Sequence, residues 1–120
     1  MRFDQQTLVL LVTPADAPDL PDDEAAAVQD AHLASQADLY DKGLLLATGP
    51  FDGQEDERLR GIAILSVPPD EARRLYASDA AVQAGRLAVQ AMTWLVPSGT
   101  VSFERGRLPR SMAETDSADD

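Results

Sequence analysis

AHLASQADLYDKGLLLATGPF, residues 31–51, is the stretch that decides the fold. Its first half has the apolar periodicity of a helix. Gly43 follows that pattern, where glycine takes the left-handed conformation of a helix cap without strain. The apolar run from Leu44 to Thr48 predicts a strand, and Gly49-Pro50 predicts the turn that ends it. The stretch also holds the only histidine, His32. This lone ionisable ring beside the main apolar elements is the best chemical lead in the chain.

The composition is that of one soluble globular domain, with 120 residues of which 44% are hydrophobic and 26% charged. The absence of cysteine excludes disulfides and thiolate chemistry and fits a reducing cytoplasm. The first apolar run spans about six residues, too few for a signal peptide or a membrane helix. The net charge of -11 repels phosphate backbones and anionic lipids, so we expect neither nucleic-acid nor membrane partners.

Hydrophobic runs and turn signals predict, in chain order, a strand at residues 7–12, a helix at 22–42, strands at 44–48 and 61–67, a helix opened by Pro68-Pro69 and ending near Ser78, a helical turn at 79–84 and a strand at 87–96. This βαββαβ order is the ferredoxin-like plan, an α+β sandwich with an antiparallel sheet. We assign residues 1–103 to the domain, with a short strand at 100–103 as a further candidate. Residues 104–120 form a C-terminal extension. Its acidic tail, from about residue 111, lacks periodicity and is expected to be disordered.

The first helix has a broad covered side and an acidic side at about 100° per residue. The covered side combines two stripes, Val28, His32, Ser35 and Leu39, and Ala26, Leu33, Ala37 and Tyr40, with Gln29 and Gln36 between them. Asp30, Asp38 and Asp41 share the other side, which we expect to face solvent. His32 therefore lies on the covered side.

The strands argue for a second copy of the chain. In residues 7–12 and 87–96 both alternations are apolar, and the second strand carries Met92 and Trp94. A sheet with helices on one face only must cover an apolar second face. We therefore expect a symmetric homodimer that pairs sheet against sheet.

Four segments together resemble the YCII-related (YciI-like) domain family over roughly Thr7–Phe103. They are AHLASQADLYDKGLLLATGPF, GIAILSV, DEARRLYASDAAVQAG and the strand ending in MTWLVP. The most specific matches are His32-Leu33, Gly49-Pro50, Asp79 and Gly85. The resemblance implies a ferredoxin-like dimeric α+β barrel. It also implies that His32 lies beside Asp79 in a cleft between helices and sheet. The chain departs from the family in one place, since Ala80 stands where a proline usually follows the aspartate.

His32 and Asp79 are the candidate catalytic residues. A carboxylate beside an imidazole holds it in one tautomer and suits it to acid–base catalysis. Each residue also has a structural explanation. His32 would then be a packed helix histidine, and Asp79 would be the N-cap of the turn that follows it.

The candidate pocket residues are Gly49, Pro50, Tyr40 and Asp41. Gly49 and Pro50 end a strand near the expected cleft, although a tight turn alone explains them. Tyr40 is equally explained by core packing, and Asp41 by a solvated charge. With one histidine and no cysteine a metal site is improbable, and no nucleotide-binding glycine motif is present. We expect no cofactor.

Together these features predict a small cytoplasmic homodimer that acts as a cofactor-free enzyme on a small organic molecule. His32 would move a proton in an isomerase-like or lyase-like step, oriented by Asp79. A non-catalytic small-molecule-binding or dimerisation module is the alternative. A haem-free monooxygenase of the similarly folded dimeric barrels is a third. A His32 saturated by backbone hydrogen bonds would favour the binding module, and one facing a cleft beside Asp79 would favour the enzyme.

Overall fold

The computed structural model describes residues 1–116. In chain order its elements are β1 (Phe3–Val12), α1 (Asp22–Asp41), β2 (Leu45–Pro50), β3 (Leu59–Leu65), α2 (Pro69–Ala77), α3 (Ala80–Gln83), β4 (Ala88–Pro97) and α4 (Met112–Thr115). The sheet order is β2-β3-β1-β4, and all its pairings are antiparallel. This is the ferredoxin-like α+β fold that the sequence predicts, and the prediction is confirmed.

The core lies between one face of the sheet and the two long helices. Alternate residues of β1 point to that face, because side chains alternate along a strand, and Val9 and Leu11 are buried there. They join a cluster that includes Leu39 of α1 and Tyr76 of α2. Burying large side chains of this kind stabilises the fold by about 2 kcal/mol each. The helices are thereby fixed on the sheet at the positions from which they present their side chains to the site.

The end of α1 forms as the sequence predicts. Gly43 has φ of 76°, a left-handed conformation that glycine adopts without steric cost. Its N–H donates to the carbonyl of Tyr40 at 3.0 Å, and the N–H of Leu44 donates to the carbonyl of Leu39 at 3.0 Å. These bonds satisfy carbonyls of the last helical turn. The chain then reverses into β2, which brings Gly49 and Pro50 back beside α1.

The second face of the sheet remains apolar and accessible. Met92 and Trp94 of β4 are 40% and 37% exposed. Alternation along the strand places both on the face opposite the helices, which no described helix covers. Leu8 of β1 pairs with Met92, and Leu10 and Ile62 lie on the same face. The sequence predicts such an apolar outer face. No helix within residues 1–116 is long and apolar enough to cross a membrane.

The chain after β4 differs from its prediction in two places. Residues 100–103 form no strand. The segment expected to be disordered from residue 111 contains α4, which the Ser111 hydroxyl caps by accepting the N–H of Glu114 at 3.3 Å. The N–H of Met112 also donates to the Asp30 carboxylate at 2.8 Å. A local cap and a distant contact thus hold a segment that has no hydrophobic periodicity. The rest of the expected tail, residues 117–120, lies outside the described residues.

Candidate active site

His32 lies in the middle of α1. Its ring contacts a carboxylate on one side and faces a cleft on the other. Its Nδ1 atom is 2.9 Å from Oδ1 and 3.0 Å from Oδ2 of Asp79. The residue is buried, with 7% of its surface exposed, and it lines a cleft of about 1180 Å³. The structure therefore brings together the two residues that the sequence singles out as catalytic candidates.

Asp79 is held in place by the backbone that follows it. It is the N-cap of α3, and its Oδ2 atom accepts the N–H of Ala81 at 2.9 Å and the N–H of Val82 at 3.4 Å. An N-cap aspartate accepts bonds of this kind because the first N–H groups of a helix have no partner within it. Asp79 thus caps α3 and contacts His32 at once. Ala80, which replaces the family's usual proline, does not prevent the turn.

The carboxylate determines where the proton lies on the ring. An ionised carboxylate can only accept hydrogen bonds, so the Nδ1 atom of His32 must donate. The Nε2 atom of a neutral ring is then the basic one. Within residues 1–116, Nε2 has no protein hydrogen-bond partner, and no fully buried side-chain nitrogen or oxygen lacks one. It follows that Nε2 is accessible from the cleft.

A second polar pair lies behind the histidine. Gln36, one turn after His32, is buried, and its Oε1 atom accepts a hydrogen bond from the Tyr76 hydroxyl at 2.6 Å. Burial, and after it the negative charge of Asp79, raise the pKa of Tyr76 far above its ordinary value. The phenol therefore stays protonated and donates to Gln36. Sequence reasoning did not assign either residue to the site, although the spacing of Gln36 four residues after His32 is a signal that could have found it.

The end of β2 forms one wall of the cleft. Gly49 and Pro50 both line it, as does Gly61 of β3. A Cβ atom on Gly61 would lie 2.6 Å from the carbonyl oxygen of Gly49, a separation that real Cβ atoms do not adopt. Only glycine lets the two strands approach this closely beside the cleft. The turn predicted at Gly49-Pro50 is wrong, because both residues continue β2 and pair with Ile62 and Gly61 of β3.

Tyr40 and Asp41 lie elsewhere, and their predicted place in this pocket is wrong. Both line a second, smaller cavity of about 220 Å³ near the end of α1, which shares Arg107 and Leu108 with the cleft. The reason is the length of the helix, since two turns of about 5.4 Å each separate them from His32. Tyr40 packs in the core with its hydroxyl oxygen accepting the N–H of Gly106. Asp41 pairs with Arg110 at 2.7 Å.

The acidic side of α1 stays exposed, with the Asp38 and Asp41 side chains 58% and 62% exposed, but the C-terminal extension contacts it. Arg110 also pairs with Asp38, at 2.9 Å. The guanidinium of Arg105 lies 3.8 Å from the centre of the Tyr40 ring. These contacts bring residues 107–109 to the edge of the cleft. The sequence shows the arginines of this segment but does not indicate their partners on the helix.

The arrangement is that of an oriented base at the wall of a cleft. One ring nitrogen is fixed by a buried carboxylate and the other is free to accept a proton from a bound molecule. Within residues 1–116, no group of three or more His, Cys, Asp or Glu side chains is placed to hold a metal ion.

Comparison with known proteins finds a solved structure of similar fold and a matching family. A similar solved structure is 5-chloro-2-hydroxyhydroquinone dehydrochlorinase from Burkholderia phenoliruptrix AC1100 in complex with 2,5-dihydroxybenzoquinone. It superposes with a TM-score of 0.50 at 23% identity, covering 74% of this chain and 92% of that one. No curated protein matches the chain. The family model of the YCII-related domain matches residues 7–94. Because this match spans well over half of the sequence, the chain belongs to the YCII-related domain family.

Proposed function

We propose that the protein is an enzyme that transfers a proton on a small organic molecule in an isomerase-like or lyase-like reaction. His32 is the base, and Asp79 is its positioning residue. The observation that carries the proposal is the contact between Nδ1 of His32 and the buried Asp79 carboxylate, which leaves Nε2 on the cleft side. A histidine held only for packing would be expected to have both nitrogens satisfied by the protein.

The proposed reaction begins when Nε2 of His32 accepts a proton from a C–H group next to a carbonyl. The bonding electrons move into the carbonyl and give an enolate, and the ring becomes an imidazolium. The Asp79 carboxylate stabilises that positive charge through the Nδ1–H bond. The imidazolium then returns the proton to another position of the substrate, which is an isomerisation. In an elimination, the enolate instead expels a leaving group with the electron pair of the broken bond, and the imidazolium gives its proton to that group or to water.

The cleft suits a substrate of this kind. Ligand sites are mostly apolar with a few placed polar groups, and this cleft is lined by Leu11, Leu33 and Leu87 beside His32. Acid–base catalysis of this type requires neither a redox centre nor a metal.

The similarity to the dehydrochlorinase supports the fold alone, but it offers a first set of probes. That enzyme was solved with 2,5-dihydroxybenzoquinone, a small cyclic molecule. We therefore propose that the substrate of the present protein is cyclic, with an acidic C–H group beside a carbonyl or an enolised hydroxyl. Substituted hydroquinones and hydroxyquinones are the compounds to screen first.

Exchange of ring hydrogens for solvent deuterium tests the proposal without assuming which bond changes next. A panel of such compounds, with 2,5-dihydroxybenzoquinone among them, is incubated with the protein in deuterated buffer and followed by proton NMR. Chloride release is measured in parallel with 5-chloro-2-hydroxyhydroquinone. We expect at least one compound to react in a protein-dependent manner. His32→Gln should lower that rate by at least about 100-fold, the usual contribution of a catalytic base.

Asp79→Asn serves as the positioning variant, and Asp70→Asn is its matched control. Asp70 carries the same carboxylate, but its side chain is 83% exposed and lies outside the cleft. Asp79→Asn should lower the rate while Asp70→Asn leaves it unchanged. If panel compounds bind in the cleft but none exchanges or reacts faster than in buffer, the enzyme proposal is wrong and the non-catalytic binding module replaces it.

We also propose that the protein is a homodimer that pairs the outer faces of two sheets. Support comes from Trp94 and Met92, which are exposed on an apolar face. Trp94→Lys should convert the dimer to a monomer in sedimentation equilibrium, because a buried charge opposes the contact. Leu95→Lys is the control, since Leu95 is 53% exposed on the opposite face of the same strand. A wild-type protein that sediments as a monomer would contradict the proposal.

A further inference from the structure

The lining of the His32 cleft has the opposite sign of charge from the rest of the chain. The protein has 21 acidic and 10 basic side chains and a net charge of -11. Three arginines but only two aspartates line the cleft, namely Arg60, Arg86, Arg107, Asp19 and Asp22. The lining is therefore weakly positive on a strongly negative protein. Since a cleft with low-dielectric walls focuses the field of the charges around it, this reversal bears on which ligands enter.

One of the three arginines comes from the C-terminal extension. Arg107 lines the cleft together with Leu108, Pro109, Met112 and Thr115. All five lie beyond residue 94, where the match to the family ends. This side of the cleft is thus built by residues outside the matched domain.

The extension is anchored on both sides of Arg107. Before it, a guanidinium nitrogen of Arg105 donates to the carbonyl of Tyr40 at 3.0 Å. After it, Arg110 pairs with Asp38 and Asp41. The backbone that carries Arg107 is therefore fixed against α1.

The Arg107 side chain itself remains accessible. It is 77% exposed, and its guanidinium is 4.0 Å from the Glu114 carboxylate, at the outer limit of an ion pair. A guanidinium on a fixed backbone at the rim of a cleft is well placed to bind a carboxylate in a bidentate manner.

We propose that the cleft binds a small organic anion, a carboxylate on a ring or chain small enough to reach His32, and that Arg107 selects it. The apolar lining takes the carbon frame, and Arg107 takes the negative charge, with Arg60 and Arg86 adding to the attraction. This inference rests on the proposed function, because it names the substrate class of the same site. It assigns to the extension a role in specificity that the domain alone does not supply.

The test compares two probes of the same shape, benzoate and benzyl alcohol, which differ in charge. Binding of each to the full chain is measured by two-dimensional NMR titration, with the His32 ring as the reporter of the cleft. Benzoate should bind at least about tenfold more tightly than benzyl alcohol, as expected for charge-assisted hydrogen bonds. Arg107→Gln should remove most of that preference and leave the affinity for benzyl alcohol unchanged. Arg107→Lys should retain part of it.

Arg74→Gln is the matched control for net charge. Arg74 is exposed on α2 and lies outside the cleft, so its substitution removes one positive charge without touching the site. Equal binding of the two probes by the wild type would overturn the proposal, as would the absence of binding by either probe at millimolar concentration. An equal loss of benzoate affinity in Arg74→Gln and Arg107→Gln would also overturn it.

The two proposals fail separately. Preferential benzoate binding that persists while no panel compound is turned over would overturn the proposed enzyme and leave the anion site standing. Turnover of neutral compounds with no preference for benzoate would do the reverse. Because the Arg107 side chain is mostly exposed, its variants are expected to fold, and the same NMR spectra check this.

Discussion

Helix α1 contacts a charged side chain at two places, and the two contacts differ in burial far more than in distance. In its middle, His32 is 2.9 Å from Asp79, whose side chain is 2% exposed. At its end, Asp41 is 2.7 Å from Arg110, and their side chains are 62% and 46% exposed. Water screens the second pair and is excluded from the first. The first can therefore control a proton, whereas the second only anchors a segment of chain.

Removing the carboxylate at each place should give the largest difference between them, measured as the loss in free energy of unfolding. Asp79→Ala deletes an N-cap and leaves Nδ1 of His32 without a partner in a buried site. It should lower the free energy of unfolding by about 3 kcal/mol. Asp41→Ala should change it by no more than the error of the measurement, because an exposed ion pair contributes little. Urea denaturation followed by circular dichroism measures both. Equal effects of the two variants would contradict the comparison.

At the buried place, Tyr76 should also make the free energy of unfolding depend on pH in the alkaline range. Burial raises its pKa in the folded protein, while the unfolded chain releases the same proton near pH 10. Above that pH the native state holds a proton that the unfolded state has lost. The free energy of unfolding therefore falls as pH rises, by up to about 1.4 kcal/mol per pH unit from this group.

Tyr76→Phe should remove that part of the alkaline decline, and Tyr40→Phe serves as the matched control. The free energy of unfolding of both variants is measured by urea denaturation at several pH values between 9 and 11. A Tyr76→Phe protein whose stability declines as steeply as that of the wild type would refute the assignment of this slope to Tyr76.

Salt should have a smaller effect, which differs between the two places in the hydrogen exchange of one backbone amide at each. The N–H of Ala81 donates to Asp79, and the N–H of Met112 donates to Asp30, at 2.9 and 2.8 Å. Raising the sodium chloride concentration screens exposed charges, including the Arg110 pairs that hold the extension. Hydrogen exchange at Met112 should therefore become faster by a few-fold, and exchange at Ala81 should not change. Faster exchange at both amides would show that the buried place is not protected from solvent.

The sequence predicts the buried place better than the exposed one. Periodicity indicates the covered side of α1 on which His32 lies, Gly43 marks the end of the helix, and the order of strands and helices gives the sheet. The family resemblance supplies the pairing of His32 with Asp79, which is 47 residues away along the chain. Spacing alone does not bring such distant residues together.

The contacts of the extension escaped prediction for a physical reason. The sequence predicts Asp38 and Asp41 to be solvated charges and residues 111–116 to be a tail. The reason is that none of these residues belongs to an apolar pattern. The segment is held by single ion pairs, by the Ser111 cap and by the Asp30 carboxylate, which accepts the N–H of Met112. Contacts of this kind leave no periodic signal. The same contacts carry Arg107 to the cleft, so the proposed selectivity could be recognised only in the fold.

The central claim is that Asp79 holds the proton of neutral His32 on Nδ1 and leaves Nε2 as the base. A long-range proton–nitrogen NMR spectrum of ¹⁵N-labelled protein measures it directly, because the chain has one histidine. We predict the Nδ1–H tautomer in the wild type and a shift toward Nε2–H in Asp79→Ala. A wild-type ring protonated on Nε2, or a tautomer ratio that the variant leaves unchanged, would contradict the claim.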